Sequence, residues 1–486
     1  MPPTRTILWH DYETSGRSAR VDRPLQFAAI RTDEDLNEVG EPISLRARLG
    51  EDVLPEPEAC LVTNVVPGDH ADEEVSELAF AKKVLATLEE PGTCSVGYNS
   101  VRFDEEFTRF MLWRCLLPVY DREWRNGNSK WDLLDVMRAT CALRPEGLEW
   151  PQHDDGRPSF KLTHLAVANG LSDANAHDAL ADVRMTIELA RLVRDRQPKL
   201  YQFLYECRTK KHAQGLIDHA RANGTGLVHV NGRFGNQFCC TSLLSPVCEQ
   251  QGRKGTTIAV DLRWDPEPLL ELEPEQLREW RHTRRDKLPE EAVRVGVETI
   301  AANKAPVLAS QGALDEGDAW DRIQLDRETV AQRLLWVQEH QQQLDPVLQF
   351  LVQRDSDGDP DPECSLYGGF VGDRDARISQ QAHRQDPSQW RDLEAQFQDE
   401  RLRELLFRLR CREHPETLDD DERSRWREHL TQRLLTPLEA NDSRLDATRR
   451  DLERLRSERE DDSDALALLD RVEALVDSRV AALVDA

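Results

Sequence analysis

No run in this 486-residue chain approaches the roughly 20 consecutive apolar residues that a membrane-spanning helix needs. The N-terminus, MPPTRTILWHDYET, also lacks the apolar core and small-residue cleavage site of a secretory signal. Both absences point to a cytoplasmic protein with no membrane partner. The ten cysteines include no CxxC pair and no zinc-like spacing, although Cys239 and Cys240 are adjacent. That usage predicts free thiols in a reducing compartment rather than a disulfide scaffold or a structural zinc site. No long-range repeat is evident. Positive charge is scarce: 64 Lys and Arg against 91 Asp and Glu leave a net charge of −27. On its face this counts against a nucleic-acid partner, because phosphate binding normally needs a basic footprint. The balance reverses between Cys207 and Cys240, where Arg208, Lys210, Lys211, Arg221 and Arg233 face a single acid, Asp218. An acidic exterior still permits nucleic-acid binding if the acids lie away from the groove.

The length calls for two to three domains, and 39% hydrophobic residues suffice to build their cores. The first domain is expected over 1–197. Alternation and apolar runs predict strands at 6–12, 25–32 and 42–49, the last two forming a hairpin. A helix near 76–89, a strand at 94–98 and a helix over 104–116 follow, then a strand or helix start at 131–142. Helices over 160–169 and 179–196 close this part, ended by Gly170 and before Pro198. Three strands followed by alternating helices and strands suit an α/β, RNase H-like mixed sheet better than a doubly wound one. A second domain over 198–353 reads as partly β-barrel-like, with strands at 224–230, 256–262 and 293–300 and helices over 269–280 and 329–350. The stretch DSDGDPDPEC (355–364) reads as a linker. Beyond it, over 354–486, the chain is almost wholly helical.

Three signals carry chemistry. Asp11 and Glu13 lie two apart at the end of an apolar strand, hence on one face. Two carboxylates held so close repel unless a cation sits between them. Asp104, in GYNSVRFDEEF, follows a strand and a Gly/Asn turn, where an acid also serves as a helix N-cap. His177 precedes a long helix whose first turns carry Asp182, and Asp178 suits that helix's N-cap. Each signal alone is weak, and exposed acids or caps account for any one of them. Their order along the chain is what gives them weight.

That order, DxE, then Asp, then HxxxxD, resembles the DEDDh 3′→5′ exonucleases. The strings HDYET, RPLQFAAIRTD, GYNSVRFDEEFTR, KWDLLDVMRA, ALRPEG and NAHDALADV resemble the bacterial exodeoxyribonuclease I family within that group, as do GLVHVNGRFG, NKAPVLA, LYGGF and CREHPETL further on. The resemblance implies an RNase H-like exonuclease domain, an SH3-like second domain and a helical C-terminal domain arching over a groove. It implies degradation of single-stranded DNA to 5′-mononucleotides, processively, in repair and recombination, by a protein acting as a monomer. Asp11, Glu13, Asp104 and Asp182 would hold two Mg²⁺ ions, with Mn²⁺ as a substitute, and His177 would be the general base. Glu13, Lys161, Phe103 and Trp124 are expected at the substrate, with Lys161 standing where the family usually has Arg. Trp131 is an alternative stacking ring, with core packing at least as good a reading. Arg144 in ALRPEG matches the family's site for the C-terminal tail of single-stranded DNA-binding protein. Two rival readings stay open: a shorter RNA-trimming or proofreading relative, and a catalytically silent scaffold.

Overall fold

The computed structural model describes residues 5–171, 179–284, 287–290, 292–353, 359–437 and 442–484. A mixed six-stranded sheet comes first, built from β1 (Thr6–Thr14), β2 (Pro24–Thr32), β3 (Ile43–Ala47), β4 (Glu74–Val75), β5 (Thr93–Gly97) and β6 (Ser129–Asp132). Its order is β4-β3-β2-β1-β5-β6. The β2–β3 pairing is antiparallel, as the expected hairpin requires, and β1 runs antiparallel to β2 but parallel to β5. Helices α1 (Pro57–Thr63), α2 (Glu77–Leu88), α3 (Asp104–Arg114), α4 (Leu133–Leu143), α5 (Leu162–Ala168) and α6 (Ala179–Arg196) surround it. This is the RNase H-like arrangement anticipated from the element order.

β1 lies mid-sheet, and its alternation feeds two cores at once. Ile7 and Trp9 pack with residues of α4 and α6, while Leu8 and Tyr12 pack on the other face with residues of α2 and α3. The ambiguous stretch 131–142 resolves into strand and helix, because Asp132 ends β6 and caps α4 by accepting from the Leu134 amide at 3.0 Å.

The second unit follows α7 (Pro198–Cys207) and α8 (Lys210–Asn223). It is an antiparallel sheet ordered β10-β9-β8-β7-β11, from β7 (Leu227–Val230), β8 (Thr241–Glu249), β9 (Thr256–Asp261), β10 (Val297–Ala301) and β11 (Val307–Ser310). Two of these strands escaped the sequence reading. β8 carries Pro246, which argues against a strand, and the structure accommodates it with a register shift between Pro246 and Cys248. β11 has only four residues. The helix expected over 269–280 is divided into α9 (Pro268–Glu271) and α10 (Pro274–His282), because Pro274 cannot continue a helix and instead opens the next. After α11 (Ala319–Arg322), the helix expected over 329–350 is divided at His340 into α12 (Arg327–Glu339) and α13 (Gln341–Val352). Packing continues across residue 197, where Trp131 of β6 lies edge-on against Tyr201 and Tyr205 of α7.

The third unit is helical, as expected: α14 (Asp373–Ala382), α15 (Trp390–Glu394), α16 (Glu400–Glu413), α17 (Asp420–Leu435), α18 (Arg444–Glu458) and α19 (Ser463–Val484). Part of the expected linker, 355–358, lies outside the described residues. The rest is not solvated. Glu363 is wholly buried and meets Arg23 at 2.7 Å, Arg412 at 2.6 Å and Arg433 at 2.9 Å. Asp52, equally buried, shares Arg23 at 3.3 Å and Arg412 at 3.2 Å. Burial alone would raise the Glu363 carboxyl, but the surrounding guanidiniums of Arg433, Arg412, Arg23 and Arg408 outweigh it and hold it well below the carboxylate range. This ionic cage joins the nuclease unit to the third unit. All ten cysteines are free thiols, nine of them buried.

Candidate active site

The strand alternation that sends Trp9 toward α6 sends Asp11 and Glu13 the same way. α6 lies across β1 and β2, burying Ala179, Val183, Ile187 and Ala190 along one helical stripe. Asp182, in its first turn and next to that stripe, meets the strand end. One carboxylate oxygen from each of Asp11, Glu13 and Asp182 lies within 4.8 Å of the others. Burial pushes the Asp11 carboxyl up to about 8, and the negative charge of Asp182 adds to the effect. Three carboxylates in this state are a poor resting arrangement without a cation, and their hard oxygens suit a hard divalent ion. The donor set therefore fits the metal that the resemblance implies.

Asp104 opens α3, where it is buried beside β1. Its Oδ1 accepts from the Tyr12 amide at 3.1 Å, between the two strand acids. Burial and then Asp11 raise its carboxyl well above the usual range. The loop before it is tightly held. Gly97 passes so close to β1 that a Cβ there would lie 2.7 Å from the His10 carbonyl oxygen. The Asp132 carboxylate accepts from the amides of Asn99 at 2.9 Å and Val101 at 3.1 Å. Arg102 then pairs with Asp135 at 2.8 Å. Sequence reading missed Asp132, whose only signal was KWDLLD directly after a strand.

The other expected residues scatter. His177 and Asp178 lie outside the described residues. Phe103 immediately precedes Asp104, half-buried, with its ring 4.8 Å from that of Phe107. Lys161 is exposed at the start of α5. Trp131 is a core residue, 1% exposed. Trp124 is indeed exposed, 62%, with Arg125 over its ring. It sits toward the opposite end of β1 from Asp11, because the nearby Asn126 carbonyl accepts from Gly92, just before β5 begins. Thr93 pairs with Thr6, so Asp11 lies about 17 Å further along at the usual strand rise. A polar local sequence marked exposure, not position. Arg144 caps α4 and reaches the second unit, donating to the Ala313 carbonyl at 3.1 Å and pairing with Glu316 at 2.7 Å.

Two cations of the basic stretch after Cys207 are held by neighbours within the fold. Arg208 lies on the Tyr205 ring at 3.5 Å and donates to Ser129, and Arg233 pairs with Glu298 at 3.0 Å. An aromatic that sequence reading did not single out is Phe370, whose side chain is fully exposed. It stands on a Gly-Gly loop anchored by Tyr367, whose hydroxyl donates to Glu106 of α3 at 2.7 Å.

Three family models match the chain in succession: an "Exonuclease" model over residues 8–190, an "Exonuclease I SH3-like domain" over 208–352 and an "Exonuclease I C-terminal domain" over 360–478. Exodeoxyribonuclease I of Escherichia coli is 41% identical over 89% of this chain and 90% of its own length. The chain belongs to the exodeoxyribonuclease I family. The Haemophilus influenzae exodeoxyribonuclease I is 36% identical over 95% of this chain and 96% of its own. Among solved structures, the zinc-bound E. coli exonuclease I–single-stranded DNA complex superposes with a TM-score of 0.92 at 38% identity, covering 98% of this chain and all of that one. The structure described as SSB/exonuclease I with the inhibitor CFAM gives 0.88 at 38% identity over the same shares. Membership in the exodeoxyribonuclease I family makes the chain an enzyme, against the scaffold reading. Coverage through the second and third units separates it from shorter trimming and proofreading relatives.

Proposed function

We propose that this exodeoxyribonuclease removes 5′-mononucleotides processively from the 3′ end of single-stranded DNA, using two Mg²⁺ ions, in repair and recombination. The observation that carries the reading is the Asp11–Glu13–Asp182 cluster at the end of β1 in a chain of this family. Asp11, Glu13 and Asp182 would hold one ion, and Asp104, from behind the strand, would support the second. Bound there, divalent ions supply Lewis acidity to the phosphate and acidify the attacking water. Glu13 and Asp182 orient that water, and His177, whose side-chain type titrates near neutrality, takes its proton. Phe103, joined to Asp104, stacks against the terminal base, and Lys161 offers a point charge to its phosphate without the fork an Arg would supply.

The relatives crystallised with single-stranded DNA and with SSB support these as partners here, with Arg144 reading the acidic tail. We further propose domain boundaries at 197/198 and 353/354, a monomeric state and a cytoplasmic location. Among the described residues no helix is long and apolar enough to cross a membrane. The test is digestion of matched, end-labelled single-stranded DNA, duplex DNA and RNA with Mg²⁺ or with a chelator. Mononucleotide release from the 3′ end of single-stranded DNA alone, lost on chelation, is expected. Equal attack on RNA, or activity in chelator, would overturn it.

A further inference from the structure

At the seam between the nuclease unit and the second unit, two cysteines from opposite sides meet. Cys141, near the end of α4, points its thiol at Cys239, in the turn before β8, with the two sulfurs 3.5 Å apart. Cys141 is 4% exposed and Cys239 5%, so the pair lies within the seam at the edge of solvent reach. The Cys239 turn is fixed. Its amide donates to the Asn236 carbonyl at 2.9 Å, and the next amide, Cys240, to that of Gly235 at 3.0 Å. The neighbouring thiol points elsewhere, with Cys240 Sγ 3.3 Å from Asn236 Oδ1. A half-buried cation overlooks the pair: Arg322 donates through Nε to the Ala142 carbonyl at 3.2 Å, and its buried Nη2 has no hydrogen-bond partner. The bond that Cys239 accepts from Cys141, with the charge of Arg322, holds the Cys239 thiol below its ordinary range.

We propose that Cys141 and Cys239 form a reversible, peroxide-driven disulfide that straps the second unit to the nuclease unit. The Cys239 thiolate attacks one oxygen of hydrogen peroxide, the O–O bond breaks, and water leaves behind a sulfenic acid. The Cys141 sulfur then displaces that hydroxyl as a second water. Two thiols give up two electrons and two protons, and one peroxide is reduced to two waters. Joining the sulfurs at about 2.05 Å requires an approach of about 1.5 Å from where they stand, within reach of side-chain rotation. The strap would lie on the same helix as Arg144, which already holds Ala313 and Glu316.

The experiment uses the full chain. Protein treated with hydrogen peroxide is alkylated, digested without reductant and analysed by mass spectrometry, alongside its thermal unfolding. The expected result is a peptide pair joining Cys141 to Cys239, reversed by dithiothreitol and absent from Cys141→Ser, with an unfolding midpoint raised by several degrees. Recovery of both thiols separately alkylated, a Cys239–Cys240 link in place of the cross-seam one, or a link that leaves the midpoint unmoved would overturn the strap. Because the wild-type map decides the connectivity, the proposal does not depend on the serine variant folding.

Discussion

Asp182 stands in the first turn of α6, beside the stripe that packs on the sheet and not in it, with its oxygen turned to Asp11 and Glu13. Asp182→Ala should therefore abolish hydrolysis and weaken Mg²⁺ binding while leaving the circular dichroism spectrum and unfolding midpoint close to wild type. Near-normal turnover at saturating Mg²⁺ would remove Asp182 from the site. His177→Ala should slow the reaction about 10²–10⁴-fold with metal affinity retained, and should flatten the rise of rate with pH through neutrality. An unchanged acidic limb would assign the base elsewhere. The faces of the acids were legible from period-two alternation and a helix start, while their common role came only with the resemblance. The aromatics were not legible. Trp124 and Trp131 are seven residues apart in one polar-to-apolar stretch, and only the strand pairing shows that one lies far from Asp11 and the other inside the core.

Among the elements, the segment from Asp359 to Phe370 departs furthest from expectation. Its acidic, proline-rich composition reads as a linker, yet Glu363 fills a buried site whose partners come from β2's leading edge and from helices α16 and α17. Composition reports what a segment could do in water; it is blind to an arginine brought in from 340 residues away. Glu363→Gln should weaken docking of the third unit by about 3–5 kcal/mol, since it strands buried guanidiniums. Limited proteolysis would read this as earlier release of the third unit. The sign with pH follows from the depressed carboxyl: its stabilisation is complete above the ordinary range near 4.5 and drains away as pH falls below it. Thermal midpoints measured from about pH 6 to pH 3 should fall steeply in wild type and less so in Glu363→Gln. At the far end of the segment, Phe370→Ala should weaken single-stranded DNA binding by about 1–3 kcal/mol, the worth of one stacked base, with chemistry on bound substrate preserved. An unchanged affinity would leave its exposure unexplained.

At the scale of the molecule, three sequence blocks share cores rather than sitting side by side. One cluster runs from β1 and α4 through α7 into the second sheet, and another from α2 and α3 into α14, α15 and α16. The element order of the nuclease unit was readable because its strands are local and strongly patterned. The second sheet was only half visible, since β8 conceals itself behind a proline and β11 is too short to show a period. The sharing of cores was not readable at all, because it is a property of tertiary contact. For the same reason, severing the chain near Gln197 would strip Tyr201 and Tyr205 from Trp131, so the nuclease unit is not cleanly separable.

The cage around Glu363 and Asp52 also bears on the setting in which the enzyme can work. Mobile ions shorten the reach of exposed charges to about 3 Å at molar salt but cannot enter a site with no accessible surface. Grip on a polyanion, by contrast, falls steeply with every added increment of salt. The two therefore part company in brine: the unfolding midpoint should stay nearly level from about 0.1 M to 1 M NaCl while the dissociation constant for an oligonucleotide climbs by orders of magnitude. Calorimetry and fluorescence anisotropy over one salt series would measure both, and a midpoint collapsing in step with binding would show the cage to be open to solvent. A chain of net charge −27 built around a buried ionic hub should lose its hold on DNA long before it loses its shape.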